Sequence, residues 1–523
     1  MVARRELVLW GAGACLAVFV GLERYGGPIL GEDSYQYLSA AANLTDGHGL
    51  RTSILHYDVD RSTGTLPAPL TMWPVGYPVA IGSLHVLGVP LEAAAVLISA
   101  LAFVALVPLF GAVARPLGLT PFATRLALLW LLANSWSAAF PAAAVSESLF
   151  TALIVGAVAL CLRSDAIADS RAWPLLVAGV LLGLAYWVRF AGLLVLAGIL
   201  TYFAVAAIVR RDRTSLRRLA LIGLPAALLI GAHAIRSLML TGSWAGGHEK
   251  AASSTLPEVL KGLVASVHHL FFGSAATTQI GVAEVTVIGG LLALGAAFVQ
   301  AIRRPRQDGD FDVLLALGLL ASVIAVYSAG LIYIGTSVAV TFDTRLFYPL
   351  LPVLILAMAA VFTIIERRVM APGIRRQLRV AALAVTAAYV LINGRSLAVA
   401  AGPLPHEAAA ARLAAVRPWI DANVPGDATI VASDGQATAY ALHRPAVSLT
   451  HAALSDTMWT EQAVRDVMTT YHAGILILYP RADLEQNPVQ AESAFLTAVL
   501  EGRLPDWLEL ASDSATARIY RRR

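Results

Sequence analysis

Long runs of apolar residues recur along the first 400 positions, then give way near Pro403 to short apolar runs alternating with amphipathic stretches. A hydrocarbon layer takes about 20 apolar residues as a helix, and the alternating pattern of a membrane barrel is missing, so helices are expected to span. The pattern predicts spans at 6–23, 91–114, 122–140, 146–162, 173–189, 191–209, 219–238, 282–302, 313–334, 346–365 and 380–400. Beyond Pro403, Thr429-Ile430-Val431-Ala432 and Gly474-Ile475-Leu476-Ile477-Leu478 have strand length, while 406–423 and 460–472 read as amphipathic helices. The predicted fold class is mainly α: a polytopic helical bundle of about 11 spans over 1–402 and a small C-terminal α/β domain over 403–523. The linker is Gly402-Pro403-Leu404-Pro405, and no solenoid-period repeat or low-complexity segment interrupts either part.

Composition agrees with this class: 58% of residues are hydrophobic and only 14% charged, with a mean hydropathy of +0.70. A soluble domain of 523 residues does not have that balance. The first run, Leu7 to Leu22, follows Arg4 and Arg5 as in a signal peptide, but no small-residue cleavage site follows it. A retained anchor is therefore expected, with Glu23, Arg24 and Tyr25 at its border. The two cysteines, Cys15 and Cys161, both fall in apolar runs, which excludes a disulfide framework and a cysteine metal site.

Charge sets the expected orientation, because cytoplasmic loops collect Lys and Arg. The rich loops are Arg210-Arg211-Asp212-Arg213 with Arg217 and Arg218, then Arg303-Arg304-Pro305-Arg306, then Arg367 to Arg379. Placing these inside, with 115–121 and 163–172, puts 24–90, 141–145, 239–281, 335–345 and the C-terminal domain outside. Tyr77 to Val89, bounded by Pro78 and Pro90, is too short to span and is expected along the outer surface.

Polar groups that a membrane makes costly gather on that outer face. The first outer loop opens with Gly31-Glu32-Asp33-Ser34-Tyr35-Gln36-Tyr37 and runs through Ala42-Asn43-Leu44 to Gly47-His48-Gly49. If 34–46 is a helix, Tyr37, Ala41 and Leu44 share a face toward the membrane and Asp33 stands at its N-terminus. Asp33 then reads either as an N-cap or, with Glu32 beside it, as a catalytic carboxylate. Arg189, Arg236 and Arg345 each fall at the outer end of a span, against the charge bias, and no acid lies at helical spacing from Arg189 or Arg236. Snorkelling is the plain explanation for each. For Arg345 a local pair with Asp343 is another. Together they suit a phosphate or pyrophosphate, which guanidinium groups bind in pairs of hydrogen bonds.

The run Asp33-Ser34-Tyr35-Gln36-Tyr37 with Ala42-Asn43-Leu44 and Gly47-His48-Gly49 resembles the opening of the GT-C glycosyltransferases, in the branch related to protein mannosyltransferases and aminoarabinose transferases. Further short matches follow in order: Trp73-Pro74-Val75-Gly76-Tyr77-Pro78, Pro141 with Ser146-Glu147-Ser148-Leu149-Phe150, Arg189, Arg236-Ser237 before Gly242, and Arg345-Leu346-Phe347-Tyr348-Pro349 with Pro352. The resemblance covers the membrane part and not the soluble domain. It implies a polyprenyl-phosphate-linked sugar donor, a glycan, lipid or protein acceptor, and inverting transfer at the outer face of a bacterial-type cytoplasmic membrane. It further implies that Asp33 is the base, with Glu32 as the neighbouring candidate, and that Arg189, Arg236 and Arg345 stabilise charge on the leaving phosphate. Substrate contacts are expected from Tyr348, Glu147, Trp73, Tyr77 and His48. Glu147, after Ser146, could equally begin a helix. Trp73 to Pro78 could equally be an interfacial turn. Ser237 stands where many relatives have asparagine.

Other partners are membrane lipids, and no nucleic acid is expected. No cofactor is assigned: a divalent metal is compatible with His48, His56 and His85, but lone loop histidines without ligand spacing are usually solvated. His268-His269 is a similar case. The amphipathic stretch Pro257 to Phe272 is expected on the membrane as a gate over the donor site. The competing classes are a lipid flippase or secondary transporter, which would carry charges near mid-span, and a polysaccharide polymerase or ligase.

Overall fold

A computed structural model describes residues 4–56, 64–166, 172–210, 213–242, 244, 254–273, 282–302, 310–337, 343–368, 371–399, 404–449, 459–480 and 493–523. Gly402-Pro403, Arg211-Asp212, Arg303-Arg304-Pro305-Arg306 and large parts of the loops 239–281 and 335–345 lie outside the described residues.

In chain order the membrane part holds α1 (Arg4–Tyr25), α2 (Glu32–Thr45), α3 (Gly76–Val86), α4 (Leu91–Ala114), α5 (Pro121–Ala133), α6 (Trp136–Ala139), α7 (Glu147–Ala166) and α8 (Trp173–Val188). It continues with α9 (Gly192–Arg210), α10 (Arg213–Thr241), α11 (Leu256–Phe272), α12 (Val282–Ile302), α13 (Asp310–Ser337), α14 (Thr344–Phe347), α15 (Leu351–Arg368) and α16 (Pro372–Ala398). A helix stands at each expected span. Among the described residues, seven are long and apolar enough to cross a bilayer, and α5, α8 and part of α12 are shorter apolar helices. The chain is thus a multi-pass membrane protein of mainly α class.

Several expectations change in detail. The span expected at 122–140 ends at Ala133, because Asn134 leaves the helix and its amide donates to the Leu270 carbonyl (2.8 Å) and the Tyr389 hydroxyl (2.7 Å). The apolar face of α2 does not meet lipid. Tyr37 and Ala41 are buried, with Tyr37 edge-on to Tyr77 of α3 at 5.2 Å. Short α3 packs on α2 and α4, and Gly76 at its start lets it also approach the end of α8: a Cβ there would lie 2.8 Å from the Trp187 backbone.

Beyond Leu404 the helix expected over 406–423 is two, α17 (Pro405–Leu413) and α18 (Arg417–Asn423), the second opening on Pro418. They are followed by α19 (Gly435–Leu442), α20 (Glu461–Thr470) and α21 (Ala494–Leu500). Strands are β1 (Arg51–Thr52), β2 (Ile54–Leu55), β3 (Ala68–Pro69), β4 (Ile430–Ala432), β5 (Ala446–Ser448), β6 (Ile475–Leu478), β7 (Leu508–Asp513) and β8 (Arg518–Arg522). β1 and β3 form a separate antiparallel pair. The main sheet has the order β2-β5-β4-β6-β8-β7, parallel from β2 to β6 and antiparallel at β8 and β7. Its edge strand β2 comes from the loop between α1 and α4, about 390 positions before its neighbour β5, so this loop and the C-terminal part share one sheet.

Candidate active site

The site is built at the start of two helices. The amide of Gly31 donates to the Ser34 hydroxyl (3.0 Å), which fixes the entry to α2 and leaves Asp33 one residue inside the helix. Asp33 is therefore no N-cap; its carboxylate is turned to other partners. Just before, Ile29 pairs with the chain ahead of α7, its amide donating to Ala142 and its carbonyl accepting from Ala144, each at 3.0 Å. This bridge brings the beginnings of α2 and α7, and so Asp33 and Glu147, to one place.

Trp73 Nε1 donates to Asp33 Oδ1 at 2.9 Å, and Arg345 Nη2 donates to Asp33 Oδ2. Arg345 Nε also donates to Glu147 Oε1 at 2.7 Å, and Arg189 Nη1 reaches the same oxygen at 2.7 Å. The result is a chain of alternating charges: Asp33, Arg345, Glu147, Arg189. Glu147 is fully buried, whereas the side chains of Asp33, Arg345 and Arg189 keep 27%, 30% and 15% of their exposure, so the chain is open to a substrate chiefly at its Asp33 end and to a lesser degree at Arg189. Burial alone would raise the Asp33 pKa. The Arg345 charge, the Trp73 hydrogen bond and the Arg189 charge outweigh it and hold the carboxyl at about 2, so it is ionised at any physiological pH.

Each arginine reaches the site because its element ends there. Arg189 sits at the C-terminus of α8 with an extended backbone, which turns it out of the helix toward Glu147; its Nη1 also contacts Ser146 Oγ at 3.2 Å. Arg345 lies on the single turn α14. Asp343 caps that turn through the Leu346 amide, and Tyr327 donates to the Leu346 carbonyl at 2.8 Å. The local pair expected between Asp343 and Arg345 is thus replaced by long-range pairs with Asp33 and Glu147.

The remaining expected residues fall elsewhere. Arg236 donates to the carbonyls of Leu70 (2.8 Å) and Leu50 (3.1 Å), and with His48 and Arg51 it lines a groove of about 570 Å³ along the C-terminal part of α10. His48 Nδ1 contacts Asn43 Oδ1 at 3.3 Å. Tyr77 is wholly buried, donating to the Ala95 carbonyl at 2.8 Å, and Tyr348 is wholly buried with its ring 4.5 Å from Phe140. Both are packed behind the charged chain. Glu32 begins α2. Among the described residues no group of three His, Cys, Asp or Glu is placed to hold a metal.

Two clusters of contacts had no signal in the sequence. Gln36 Nε2 donates to Gln436 Oε1 at 3.0 Å, both side chains buried, and Thr52 donates to Gln36 Oε1 at 2.9 Å. The Tyr440 ring lies 4.9 Å from that of Tyr35, tilted by 32°, and its hydroxyl donates to Glu92 at the start of α4. The amphipathic helix α11 is present, but its C-terminal end is held by protein. Carbonyls of His269, Leu270, Phe271 and Phe272 accept from Trp136, Asn134, Asn393 and Ser396, respectively.

A bundle of this kind, with a carboxylate-bearing first loop and an α/β domain joined to it, has the fold of the GT-C membrane glycosyltransferases. The crystal structure of ArnT from Cupriavidus metallidurans bound to undecaprenyl phosphate aligns with a TM-score of 0.59 and 14% identity over 99% of this chain and 98% of that one. Oligosaccharyltransferase AglB from Archaeoglobus fulgidus, in complex with an inhibitory peptide and a dolichol-phosphate, aligns at 0.56 and 11% over 95% and 72%. Mycobacterial arabinofuranosyltransferase AftD aligns at 0.56 and 16% over 99% and 40%. No protein-family model and no curated protein matches the chain.

Proposed function

We propose that this protein is a membrane glycosyltransferase that moves a sugar from a polyprenyl-phosphate donor to an acceptor hydroxyl at the outer face of the membrane. The observation that carries the reading is Arg345 between Asp33 and Glu147: an ionised, partly open carboxylate beside two guanidinium groups. The lipid phosphates bound in the ArnT and AglB structures support the donor class.

In the proposed reaction the acceptor oxygen bonds to the anomeric carbon while the bond from that carbon to the phosphate oxygen breaks. The electron pair leaves on the phosphate and the acceptor proton passes to Asp33. A carboxylate with a pKa of about 2 is a weak base, so the proton must move late, when the hydroxyl has become acidic through bond formation. Most of the acceleration is then electrostatic, from Arg345 and Arg189 against the departing phosphate. Incoming phosphate competes with Asp33 for Arg345. Each guanidinium exchanged from carboxylate to phosphate leaves Asp33 more basic at the moment it is needed. Arg236, through Leu50 and Leu70, holds the first loop in place.

The test is transfer from a radiolabelled polyprenyl-phosphate sugar in purified membranes, wild type against Asp33→Asn. A loss of about 10²-fold or more is expected, the usual contribution of a positioned base. Equal transfer by both proteins would remove Asp33 as the base, and no transfer by wild type to any glycan, lipid or protein acceptor would remove the donor class.

A further inference from the structure

An apolar cavity of about 310 Å³ lies between α5, α12, α15 and α16, away from the charged chain of the active site. Its walls include Ala127, Leu294, Met358 and Ala382, and its one polar wall residue, Thr386, is satisfied, accepting from Trp130 Nε1 at 2.9 Å and donating to the Ala382 carbonyl at 2.8 Å. Such a wall offers a ligand no hydrogen bond, so it suits hydrocarbon. Two lining residues, Ala293 and Ala381, are exposed in the middle of their helices, so the cavity opens sideways where the bundle meets lipid.

The two ends differ. At one, Trp130 stacks on Tyr389 with ring centroids 4.1 Å apart and planes at 6°, and Asn134 donates to the Tyr389 hydroxyl. That end, toward the active-site face, is plugged by aromatic rings. At the other, the start of α5, the end of α15 and the start of α16 meet: Thr120 Oγ1 donates to Glu366 (2.9 Å), Arg379 pairs with Glu366 (2.6 Å), and the Arg379 guanidinium lies 5.3 Å from the centre of the Phe122 ring. The described residues 366–368 and 371–379 at this end include five arginines and one acid. Arg375 and Arg376 stand one turn before Arg379 on the same helix, and Arg376 is exposed.

We propose that this cavity is a binding site for an anionic glycerophospholipid, with one acyl chain between α5, α12, α15 and α16 and the phosphate against Arg376 and Arg379. Basic pockets between membrane helices on the arginine-rich side bind anionic headgroups. The plugged end argues against the chain of a lipid whose phosphate sits in the active site, since that chain would have to pass Trp130 and Tyr389. The proposal is independent of the reaction assigned above.

Delipidated protein in detergent is titrated with phosphatidylglycerol and, separately, with phosphatidylcholine, and bound lipid is counted by native mass spectrometry. Wild type is expected to hold phosphatidylglycerol more tightly. Arg376→Gln should weaken it about fivefold and leave phosphatidylcholine unchanged, the contribution of about one arginine at a lipid surface. Ala293→Phe, which fills the mouth, should weaken both lipids at least about tenfold through lost apolar contact. Equal affinity of wild type for the two headgroups, or unchanged binding in Ala293→Phe, overturns the site. Should Ala293→Phe not fold, the surface variant decides: headgroup preference undiminished in Arg376→Gln overturns it equally.

Discussion

Gln36 and Gln436 are 400 positions apart in the chain and joined by a buried hydrogen bond of 3.0 Å. Gln36 lies one turn after Asp33 on α2, and Gln436 opens α19 of the C-terminal part. The bond thus ties the helix that bears the proposed base to the α/β sheet, beside the β2–β5 pairing and the contact of Tyr440 with Tyr35 and Glu92.

Replacing Gln436 with Leu leaves the Gln36 amide buried without its acceptor, which costs about 1–3 kcal/mol. Because α2 carries Asp33 and not the arginines proposed to meet the phosphate, kcat should fall several-fold with little change in donor KM. A pure loss of folded protein would instead lower the amount of active enzyme and leave kcat per folded molecule intact. Steady-state kinetics normalised to folded protein separates the two.

Asp33 is held near pH 2 by Arg345, against burial that alone would raise it. A carboxyl with a lowered folded pKa adds stability above its ordinary value near 3.8, and that stability is lost as pH falls from about 4 to 2. Transfer by wild type should therefore show no acid limb from Asp33 above about pH 4. In Arg345→Gln the largest influence that lowers the pKa is gone, and the acid limb should move upward, along with a large drop in kcat. The pH profile of kcat/KM checks the direction, and an unmoved limb would mean that Arg345 does not set the Asp33 charge.

Glu147 is fully buried and accepts from Arg189 and Arg345 at the same oxygen. Glu147→Ala should destabilise the fold by about 3–5 kcal/mol, the usual cost of breaking a buried pair from one side. The part-exposed Asp33→Asn should cost much less. Thermal unfolding in detergent compares them, and an equal shift for both would place the structural burden outside Glu147.

The C-terminal end of α11 hands its carbonyls to Asn134, Trp136, Asn393 and Ser396. Asn393→Leu removes the donor to Phe271 and the acceptor of the Ser135 amide. Hydrogen exchange along 266–273 should speed up by about fivefold or more, as a buried hydrogen bond worth about 1 kcal/mol or above is lost. Unchanged exchange would show that apolar packing alone holds the helix end.

The rough positions of the apolar helices were legible in the chain because spanning needs about 20 apolar residues in a row, a local property; of the eleven expected spans, seven are long enough to cross among the described residues. The strands β4 and β6 were legible for a similar reason. Asp33 and the outer arginines stood out because charge is costly there, whoever their partners are. The partners themselves were not legible. Asp343, two residues from Arg345, looked the natural counter-ion, yet the fold gives Arg345 to Asp33 and Glu147, 312 and 198 positions away. Arg236, alike in sequence to Arg189, ends on carbonyls of the first loop and beside His48, while Arg189 ends on Glu147. The face of α2 that seemed made for lipid is covered by α3, and the sheet takes its edge strand from the loop between α1 and α4. Hydropathy and charge are carried by each residue and can be read one by one. Which carboxylate meets which guanidinium depends on where helices stop and how they pack, and only the tertiary structure decides that.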